Sequence, residues 1–244
     1  MTLIVDNLTF RLKEKILLAA VSLKFKPGEV TAILGPNGSG KSTLFKTMAG
    51  IWPAVAGRVC WNGVDILKLP RKEISRTLSL VPQNPPLYFD YTVEEMVRMG
   101  GYSLSEKNQE LTCLENVLKM TDLCQLRNRQ LTQLSGGEKQ RAYIARSLVT
   151  KSTILLLDEP TSHLDLRHQL EIWQLLRRLA DEGKTVVVAV HELSAVQHYC
   201  DQAVVIDQGK VAVTGPSDLV AAPDLLKNIF GVQACQITGH YTLI

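Results

Sequence analysis

The chain has 244 residues, of which 45% are hydrophobic and 21% are charged, and its formal net charge is +3. This length accommodates one large domain with a sizeable core, and so mild a charge gives no indication of a nucleic-acid partner. The five cysteines are odd in number and share no C-x-x-C spacing, which argues against a disulfide or zinc framework and indicates a reducing compartment.

The N-terminal third is predicted to be rich in strands, because apolar runs alternate with Gly, Pro and Asn-Gly breaks. These runs are "TLIVDNLTF", "AVSLKFKPGEVTAILG", "GRVCWNG" and "TLSLVPQ". One helix, "KSTLFKTMAG", is predicted to interrupt them and to stop at Gly50, since Pro53 prevents its continuation. The longest apolar runs fall short of the roughly 20 residues that cross a bilayer, and the N-terminus does not resemble a signal peptide.

The stretch "GPNGSGKST" follows the predicted strand "VTAIL" and opens the helix, the context that a G-x-x-x-x-G-K-[ST] phosphate loop requires. Glycines let backbone amides curl around phosphates, and the helix N-terminus adds partial positive charge. Lys41 is expected to reach the β- and γ-phosphates, and the Ser42 hydroxyl to take one Mg²⁺ position. The predicted nucleotide-binding residues of this phosphate loop (residues 35–43) are Gly35, Pro36, Asn37, Gly38, Ser39, Gly40, Lys41, Ser42 and Thr43.

From about Thr92 the apolar pattern changes to the period of helices. "TVEEMVRMGG" opens with a capping box formed by Thr92 and Glu95, and "LTCLENVLKM" has apolar residues at 111, 114, 117 and 118. Further on, "LSGGEKQR" (the signature segment, residues 134–141) has the form of a helix N-terminus built to hold an anion. We predict one domain over 1–244, with a core at about 1–85 and 150–220, a helical subdomain at about 86–149, and a C-terminal helix and tail at about 221–244.

Two continuously apolar segments, "TILLLD" and "TVVVAVH", predict parallel strands that are covered on both faces. A helix that ends at Gly183 is predicted between them. Its apolar stripe is predicted to contain Leu166, Leu170, Trp173, Leu176 and Ala180. "AVVIDQGKVAVTG" then predicts a hairpin.

The segment "ILLLDEP" supplies the second half of a nucleotide site. Asp158 lies at the carboxyl end of a predicted buried strand, where it can hold Mg²⁺ through water. Glu159 follows directly and can orient or deprotonate an attacking water. The alternative, a solvated loop at a strand end, is weakened by the phosphate loop in the same chain.

Six motifs follow one another in a characteristic order: the phosphate loop, Gln83, "LSGGEKQR", "ILLLDEP", "SHLD" (the D-loop, residues 162–165) and His191. This order resembles that of the nucleotide-binding subunits of ABC transporters over about residues 3 to 215, and the signature segment is the most specific part. The resemblance implies an α/β P-loop NTPase fold with a RecA-like core, an antiparallel β subdomain and an inserted α-helical subdomain. It also implies an ATPase that uses ATP and Mg²⁺.

The same resemblance implies roles for individual residues. Gln83 corresponds to the glutamine that touches Mg²⁺ and the water and senses the transporter partner. Asp165 corresponds to the D-loop aspartate, and His191 to the switch histidine that contacts the γ-phosphate. The chain departs from the family at two positions. Leu12 replaces the usual aromatic residue that stacks on adenine, so the selectivity for the nucleotide base is left open. His163 replaces a small residue in the D-loop.

The resemblance further implies a head-to-tail homodimer, in which the signature segment of one copy closes over the γ-phosphate held by Lys41 of the other. The residues implied in this closure are Ser135, Gly136 and Gly137. A single phosphate loop leaves the outer face of the γ-phosphate open to water, and a second helix N-terminus completes the cage. ATP is therefore expected to favour the closed dimer, and its hydrolysis to reopen it.

Residues 81–102 are similar to the segment that receives a permease helix in importers of iron–siderophore, haem and cobalamin. The predicted docking patch consists of Pro85, Pro86, Leu87, Tyr88, Phe89 and Tyr91. It is apolar and turn-prone, which suits a docking surface, and a core-packing loop is the alternative.

We therefore expect the ATP-hydrolysing subunit of an importer for a metal chelate. It is expected to be cytoplasmic, bound to the inner face of the membrane through polytopic permease subunits, with a substrate-binding protein as an indirect partner and no nucleic acid. The open alternatives are a zinc or manganese importer, an exporter, and a soluble ABC ATPase of iron–sulfur cluster assembly.

Overall fold

The computed structural model describes residues 1–83, 85, 89–103, 107–231, 234–237 and 240–243. The strands are β1 (Leu3–Leu12), β2 (Lys15–Phe25), β3 (Val30–Leu34), β4 (Ala56–Trp61), β5 (Val64–Asp65), β6 (Leu78–Val81), β7 (Ile154–Asp158), β8 (Thr185–Ala189), β9 (Gln202–Asp207), β10 (Lys210–Pro216), β11 (Ala234–Ile237) and β12 (His240–Leu243). The main helices are α1 (Lys41–Met48), α2 (Arg71–Thr77), α3 (Val93–Gly100), α4 (Lys107–Met120), α5 (Gly136–Val149), α6 (Leu166–Asp181) and α7 (Leu193–Tyr199).

A six-stranded sheet with the order β10-β9-β3-β8-β7-β6 forms the centre of the fold. Its strands pair in parallel except β10, which is antiparallel to β9 and completes the predicted hairpin. Successive residues of β7 point into different cores: Leu155 and Leu157 pack into one cluster, and Ile154 and Leu156 into the other. The continuous apolarity of β7 and β8 is thus explained by burial on both faces, as predicted.

A second, antiparallel sheet has the order β2-β1-β4-β5 and covers one face of the central sheet. Leu3 and Phe25 of this sheet and Phe45 of α1 are fully buried in the shared core. The helix α1 stops where the sequence predicts, because Gly50 adopts a left-handed conformation with φ 66° just after it.

Helices α3 to α5 lie between β6 and β7 along the chain. The predicted capping box of α3 is present, since the Thr92 side chain accepts from the Glu95 amide and the Glu95 carboxylate accepts from the Thr92 amide. Of the four predicted core positions in α4, Leu114, Val117 and Leu118 are buried, and the side chain of residue 111 lies outside the described part.

Two predictions about the helices are wrong. The N-terminal third contains a second helix, α2, which buries only Ile74 and therefore shows no apolar period. In α6 the side chains of Leu166 and Leu170 are 72% and 40% exposed, because the first turns extend beyond the core. The core is instead filled by a later stripe that includes Trp173, Leu176 and Ala180 as predicted, together with Ile172, Leu175 and Leu179.

The segment predicted as a C-terminal helix and tail contains short helical turns at Pro223–Leu225 and Leu226–Phe230, followed by the β11–β12 hairpin. Among the described residues, we find no helix with both the length and the apolarity needed to span a membrane.

Candidate active site

The topology of the central sheet brings the predicted site residues to one edge. Strands β3, β8, β7 and β6 are parallel neighbours, so their carboxyl ends lie side by side. The phosphate loop follows β3, Asp158 is the last residue of β7, and His191 and Gln83 each follow the end of their strand by two residues. This edge is where ligands bind in open α/β sheets.

The shape of the phosphate loop depends on glycine. Gly35 has φ 147°, and a Cβ there would lie 2.0 Å from the Ile206 carbonyl oxygen. Gly40 has φ 113° and immediately precedes α1 without providing a side-chain cap. The Ser39 hydroxyl is buried and has no hydrogen-bond partner among the described residues. Since no side chain caps α1, the backbone amides of its first turn are left for a phosphate.

Lys41 is folded back onto the loop that carries it. Its side chain is buried, and its Nζ donates to the Gly35 carbonyl at 2.8 Å and to the Pro36 carbonyl at 3.2 Å. Burial lowers the pKa of Lys41, while the nearby carboxylates of Glu159 and Asp158 oppose that shift. The ammonium group is thus held by carbonyl oxygens that phosphate oxygens can replace.

Asp158 is the most deeply placed carboxylate of the site, with 5% of its surface exposed. Burial raises its pKa, and a hydrogen bond from the Ser42 hydroxyl acts in the opposite direction. Its Oδ1 atom is buried without a hydrogen-bond partner in the described structure. One buried carboxylate beside one hydroxyl fits Mg²⁺, which takes few protein ligands when phosphates supply the others. No cluster of three metal-binding side chains occurs among the residues described.

Glu159 brings three predicted residues together. Its backbone is held at φ 51°, an unusual conformation for a non-glycine residue, and its amide donates to the Ala189 carbonyl at 3.0 Å. Its Oε2 accepts from Gln83 Nε2 at 2.5 Å, and its Oε1 lies 2.7 Å from His191 Nε2. Both carboxylate oxygens are therefore engaged, and each keeps one further acceptor position at which a water can bind.

The signature segment begins α5 with a second capping box. Ser135 Oγ accepts from the Glu138 amide at 3.2 Å, and the Glu138 carboxylate accepts from the Ser135 amide at 2.8 Å. The hydrogen bond from the Ser135 backbone amide lowers the pKa of the Glu138 carboxyl group. The amides of Gly136 and Gly137 lie in the first turn, where a helix has no acceptor of its own for them. Ser135 and Gly136 are exposed, so this turn can meet an anion from outside the chain.

The signature segment contacts the start of α6 within its own chain. Asp165 is the N-cap of α6 and accepts from the His168 amide at 2.9 Å. His168 then reaches back to Ser135, with 3.2 Å between Nε2 and Oγ. Sequence reasoning missed His168, because its position three residues after an N-cap carries no sign of a partner 33 residues earlier.

The two departures from the family pattern lie at accessible positions. Leu12 ends β1 and is 56% exposed. His163 has φ 62° and lines a cavity of about 310 Å³ together with Gln83 and Gly136. This cavity lies between the segment after β6, the D-loop and the start of α5.

Pro85 of the predicted docking patch lines a groove of about 630 Å³. Pro85, Met99 and Tyr102 contribute to its lining, and the opposite side comes from α1, α2 and α5. Of the predicted patch, Phe89 is 69% exposed, whereas Tyr91 is partly buried against the core. Pro86, Leu87 and Tyr88 lie outside the described residues.

Comparisons with known proteins find related sequences and related structures. Residues 18–162 match the family model described as ABC transporter. The cobalamin import ATP-binding protein BtuD of Halobacterium salinarum is 36% identical over 246 residues, which cover 99% of this chain and 62% of that protein. The chain thus spans less than two thirds of the length of this relative.

Two further relatives are matched over most of their length. The iron(3+)-hydroxamate import ATP-binding protein FhuC of Bacillus subtilis is 34% identical, with 94% of this chain and 87% of that protein covered. The hemin import ATP-binding protein HmuV of Aliivibrio fischeri is 36% identical, with 98% and 93% covered.

Among solved structures, cbiO1 from Clostridium perfringens, part of the ABC transporter complex cbiONQ, has a TM-score of 0.81. It is 33% identical, and 92% of each chain is covered. This likeness confirms the predicted α/β P-loop NTPase fold.

The raised pKa of Asp158 predicts a pH-dependent gain in stability for Asp158→Asn. The folded state binds this proton more tightly than the unfolded state, so stability falls as pH rises from the ordinary value of 3.8 through the raised native pKa. Removing the charge should therefore increase the free energy of unfolding at pH 7 by roughly 0.5–2 kcal/mol, and by less at pH 4. Urea denaturation at the two pH values measures the difference.

The exposed Asp218 provides the control, because Asp218→Asn should change stability little at either pH. A loss of stability in Asp158→Asn at pH 7 would contradict the assignment of burial as the dominant influence on this carboxyl.

Proposed function

The chain belongs to the ABC transporter family of ATP-binding proteins, and we propose that it hydrolyses ATP to power uptake of a metal chelate through a separate permease. The observation that carries the ATPase is the contact of Glu159 with both Gln83 and His191, beside Lys41 and Asp158. The import direction and the chelate class rest on the relatives, which are named for import of cobalamin, iron(3+)-hydroxamate and hemin.

In this proposal the phosphate loop holds the phosphates of ATP. The Lys41 ammonium leaves the Gly35 and Pro36 carbonyls and binds the β- and γ-phosphates, which are stronger acceptors because they are charged. Ser42 and Asp158 hold Mg²⁺, with Gln83 as a further ligand. When bound, this cation neutralises charge on the β- and γ-phosphate oxygens.

Glu159 acts as the general base in the same proposal. Gln83 and His191 each occupy one acceptor position on its carboxylate, so both compete with a water for these oxygens. The His191 side chain is 43% exposed and can turn towards a γ-phosphate, which removes its competition for Oε1. Nucleotide binding should therefore favour hydrolysis, because the nucleotide provides a new partner for His191.

We propose that the active form is a head-to-tail homodimer. Ser135 and Gly136 of the signature segment are exposed, and Ser135 contacts α6 of its own chain, so this turn is accessible to a group from outside the chain. Ser135, Gly136 and Gly137 of one copy then close over the γ-phosphate held by Lys41 of the other, and Asp165 lies at the same interface. Loss of the γ-phosphate removes the group that both copies share, which favours separation.

The groove beside Pro85 is the proposed docking site of the permease. It is lined by apolar surface from Met99 and Tyr102 and by cations from Arg71, Lys72 and Arg146. A short amphipathic helix with an acidic end fits this combination. Because Gln83 lies two residues from Pro85, a segment in the groove can influence the glutamine that holds Glu159.

The alternatives differ in partner and cargo rather than in the ATPase site. A zinc or manganese importer and an exporter would use the same residues, and an ATPase of iron–sulfur cluster assembly would bind soluble partners. A polytopic permease gene and a binding-protein gene beside this one would favour an importer. A cytoplasmic chain held on the inner face of the membrane would favour a transporter over a soluble ATPase. Uptake of haem, cobalamin and ferric hydroxamate by the reconstituted complex then identifies the cargo.

Glu159→Gln should bind ATP and Mg²⁺, lose about 10²–10⁴-fold in turnover, and accumulate a closed dimer. The amide keeps the shape of the side chain but cannot take a proton from water. Phosphate release measures turnover, and size-exclusion chromatography with ATP measures the dimer. Glu192→Gln is the matched control, since this exposed carboxylate follows His191 but has no contact with Glu159 among those described. Normal turnover in Glu159→Gln would show that the base has been misassigned.

Ser135→Ala should reduce hydrolysis by about 10²–10³-fold, as expected for loss of a group that stabilises developing charge. Binding of ATP to the isolated subunit should be spared, because the phosphate loop does not contact the signature segment in the described contacts. Titration calorimetry separates the two effects.

Thr92→Ala is the control for Ser135→Ala, because it removes the equivalent capping box from α3 at a similar cost of about 1 kcal/mol in stability. It should leave hydrolysis unchanged. Loss of ATP binding to isolated Ser135→Ala subunits would instead place the signature segment in the site of its own chain.

Met99→Lys should weaken association with the cognate permease by at least about tenfold, because the interface would bury an unpaired charge. The ATPase rate of the isolated subunit should not change. Val64→Lys places the same charge on an exposed residue of the other sheet and serves as the control. Equal permease affinity for the two variants would exclude this groove as the docking site.

A further inference from the structure

We propose that His168 is a positioning residue that links the signature segment to the D-loop, so that both approach the nucleotide of the partner subunit as one unit. The inference rests on the proposed head-to-tail dimer. His168 itself contacts neither the phosphate loop nor Glu159 in the described structure, and it acts through Ser135 and Asp165.

Two hydrogen bonds of His168 carry this link. Its Nε2 lies 3.2 Å from Ser135 Oγ, and its backbone amide donates to Asp165 Oδ1 at 2.9 Å. Its Nδ1 lies 3.3 Å from the same Asp165 oxygen but has no hydrogen-bond partner in the described structure. The two residues that the dimer presents to the partner's nucleotide are therefore joined through one residue, by its side chain on one side and its backbone on the other.

The ring is held in place by packing as well as by these contacts. A Cβ on Gly137 would lie 1.8 Å from the ring carbon Cδ2 of His168, so the absence of a side chain there makes room for the imidazole. The side chain of His168 is only 21% exposed, and its Nδ1 atom is buried. Glu171, one turn further along α6, places a carboxylate oxygen 3.9 Å from Nδ1 and also pairs with Arg141 of α5.

This arrangement restricts the Ser135 hydroxyl. Its oxygen already accepts from the Glu138 amide at 3.2 Å, and the contact with Nε2 takes a second direction. Which of the two atoms donates depends on the tautomer of the imidazole, but either tautomer can form the bond. The hydroxyl is thus oriented before a phosphate arrives, and the first turns of α5 and α6 cannot move independently without breaking the contact.

The functional consequence lies in dimer closure. If Ser135 and Asp165 were independent, each would have to be ordered separately when the second subunit closes. A rigid connection lowers the conformational entropy that is lost when the second subunit closes, because the two residues are already held in place. Loss of the connection should therefore weaken ATP-driven closure and turnover, while the binding of ATP to a single subunit stays unchanged.

The test uses the full chain with His168→Leu, which keeps an apolar bulk but removes both nitrogens, and His168→Gln, whose amide can again reach Ser135. In the Glu159→Gln background, analytical ultracentrifugation across a series of ATP concentrations measures dimer formation. With Glu159 intact, phosphate release gives kcat and KM. Calorimetry of Mg²⁺–ATP binding to dilute subunits gives the single-chain affinity.

For His168→Leu we expect kcat to fall roughly 10- to 100-fold, the scale of a small misplacement of catalytic groups, and the ATP concentration for half-dimerisation to rise about tenfold. Single-chain affinity should stay within about twofold. His168→Gln should recover most of both losses. His198→Leu, at an exposed histidine of α7, should behave like the parent.

The inference is overturned if His168→Leu closes and turns over like the parent, or if His168→Gln is as defective as His168→Leu, since packing alone would then explain the effect. Should His168→Leu not fold, His168→Asn replaces it: its amide is one carbon too short to reach Ser135, so it should be defective where His168→Gln is not, and equal behaviour refutes the link. Failure of Glu159→Gln itself to dimerise with ATP refutes the dimer, and the inference with it.

Discussion

The alignment of four parallel strands is the constraint on which the rest of the structure depends. Because β3, β8, β7 and β6 end at the same edge, residues far apart in the chain are brought into one site. Lys41 and Asp158 are buried at that edge, so their charges lose hydration. The opposite shifts of the pKa of Lys41 and Asp158 both arise from this burial, and each group limits the other's cost by its charge.

The site holds groups in conformations that the fold alone would not favour. Glu159 has a left-handed backbone, and Asp158 leaves one buried oxygen without a partner in the described structure. Such features persist where surrounding packing determines them, and they are characteristic of places that bind a ligand. In the proposed function, a phosphate-bound Mg²⁺ would give the Asp158 oxygen the partner that it lacks.

Glycine serves opposite purposes in the two anion-binding turns. At Gly35 its absence of a side chain lets the phosphate loop pass close to the Ile206 carbonyl, which shapes a cradle within the chain. At Gly137 it makes room for His168, which fixes the signature segment against α6. The first turn is folded around a cradle within the chain, whereas the second has Ser135 and Gly136 exposed to groups outside the chain. In the proposed dimer, this difference makes each site dependent on both subunits.

The sequence alone determined the phosphate loop, the buried strands β7 and β8 and the capping box of α3, and the order of the motifs implied the fold class through the family resemblance. The phosphate loop, the strands and the capping box are encoded locally, in residues whose spacing matches a helix, a strand or a turn. Contacts across the chain were not accessible in the same way. The exposure of Leu166 and Leu170 depends on where the core ends, and the link from Ser135 to His168 depends on how α5 and α6 are packed. Only the tertiary structure decided these features. The periodicity of a helix shows which residues share a face, but it does not show which other element packs against that face.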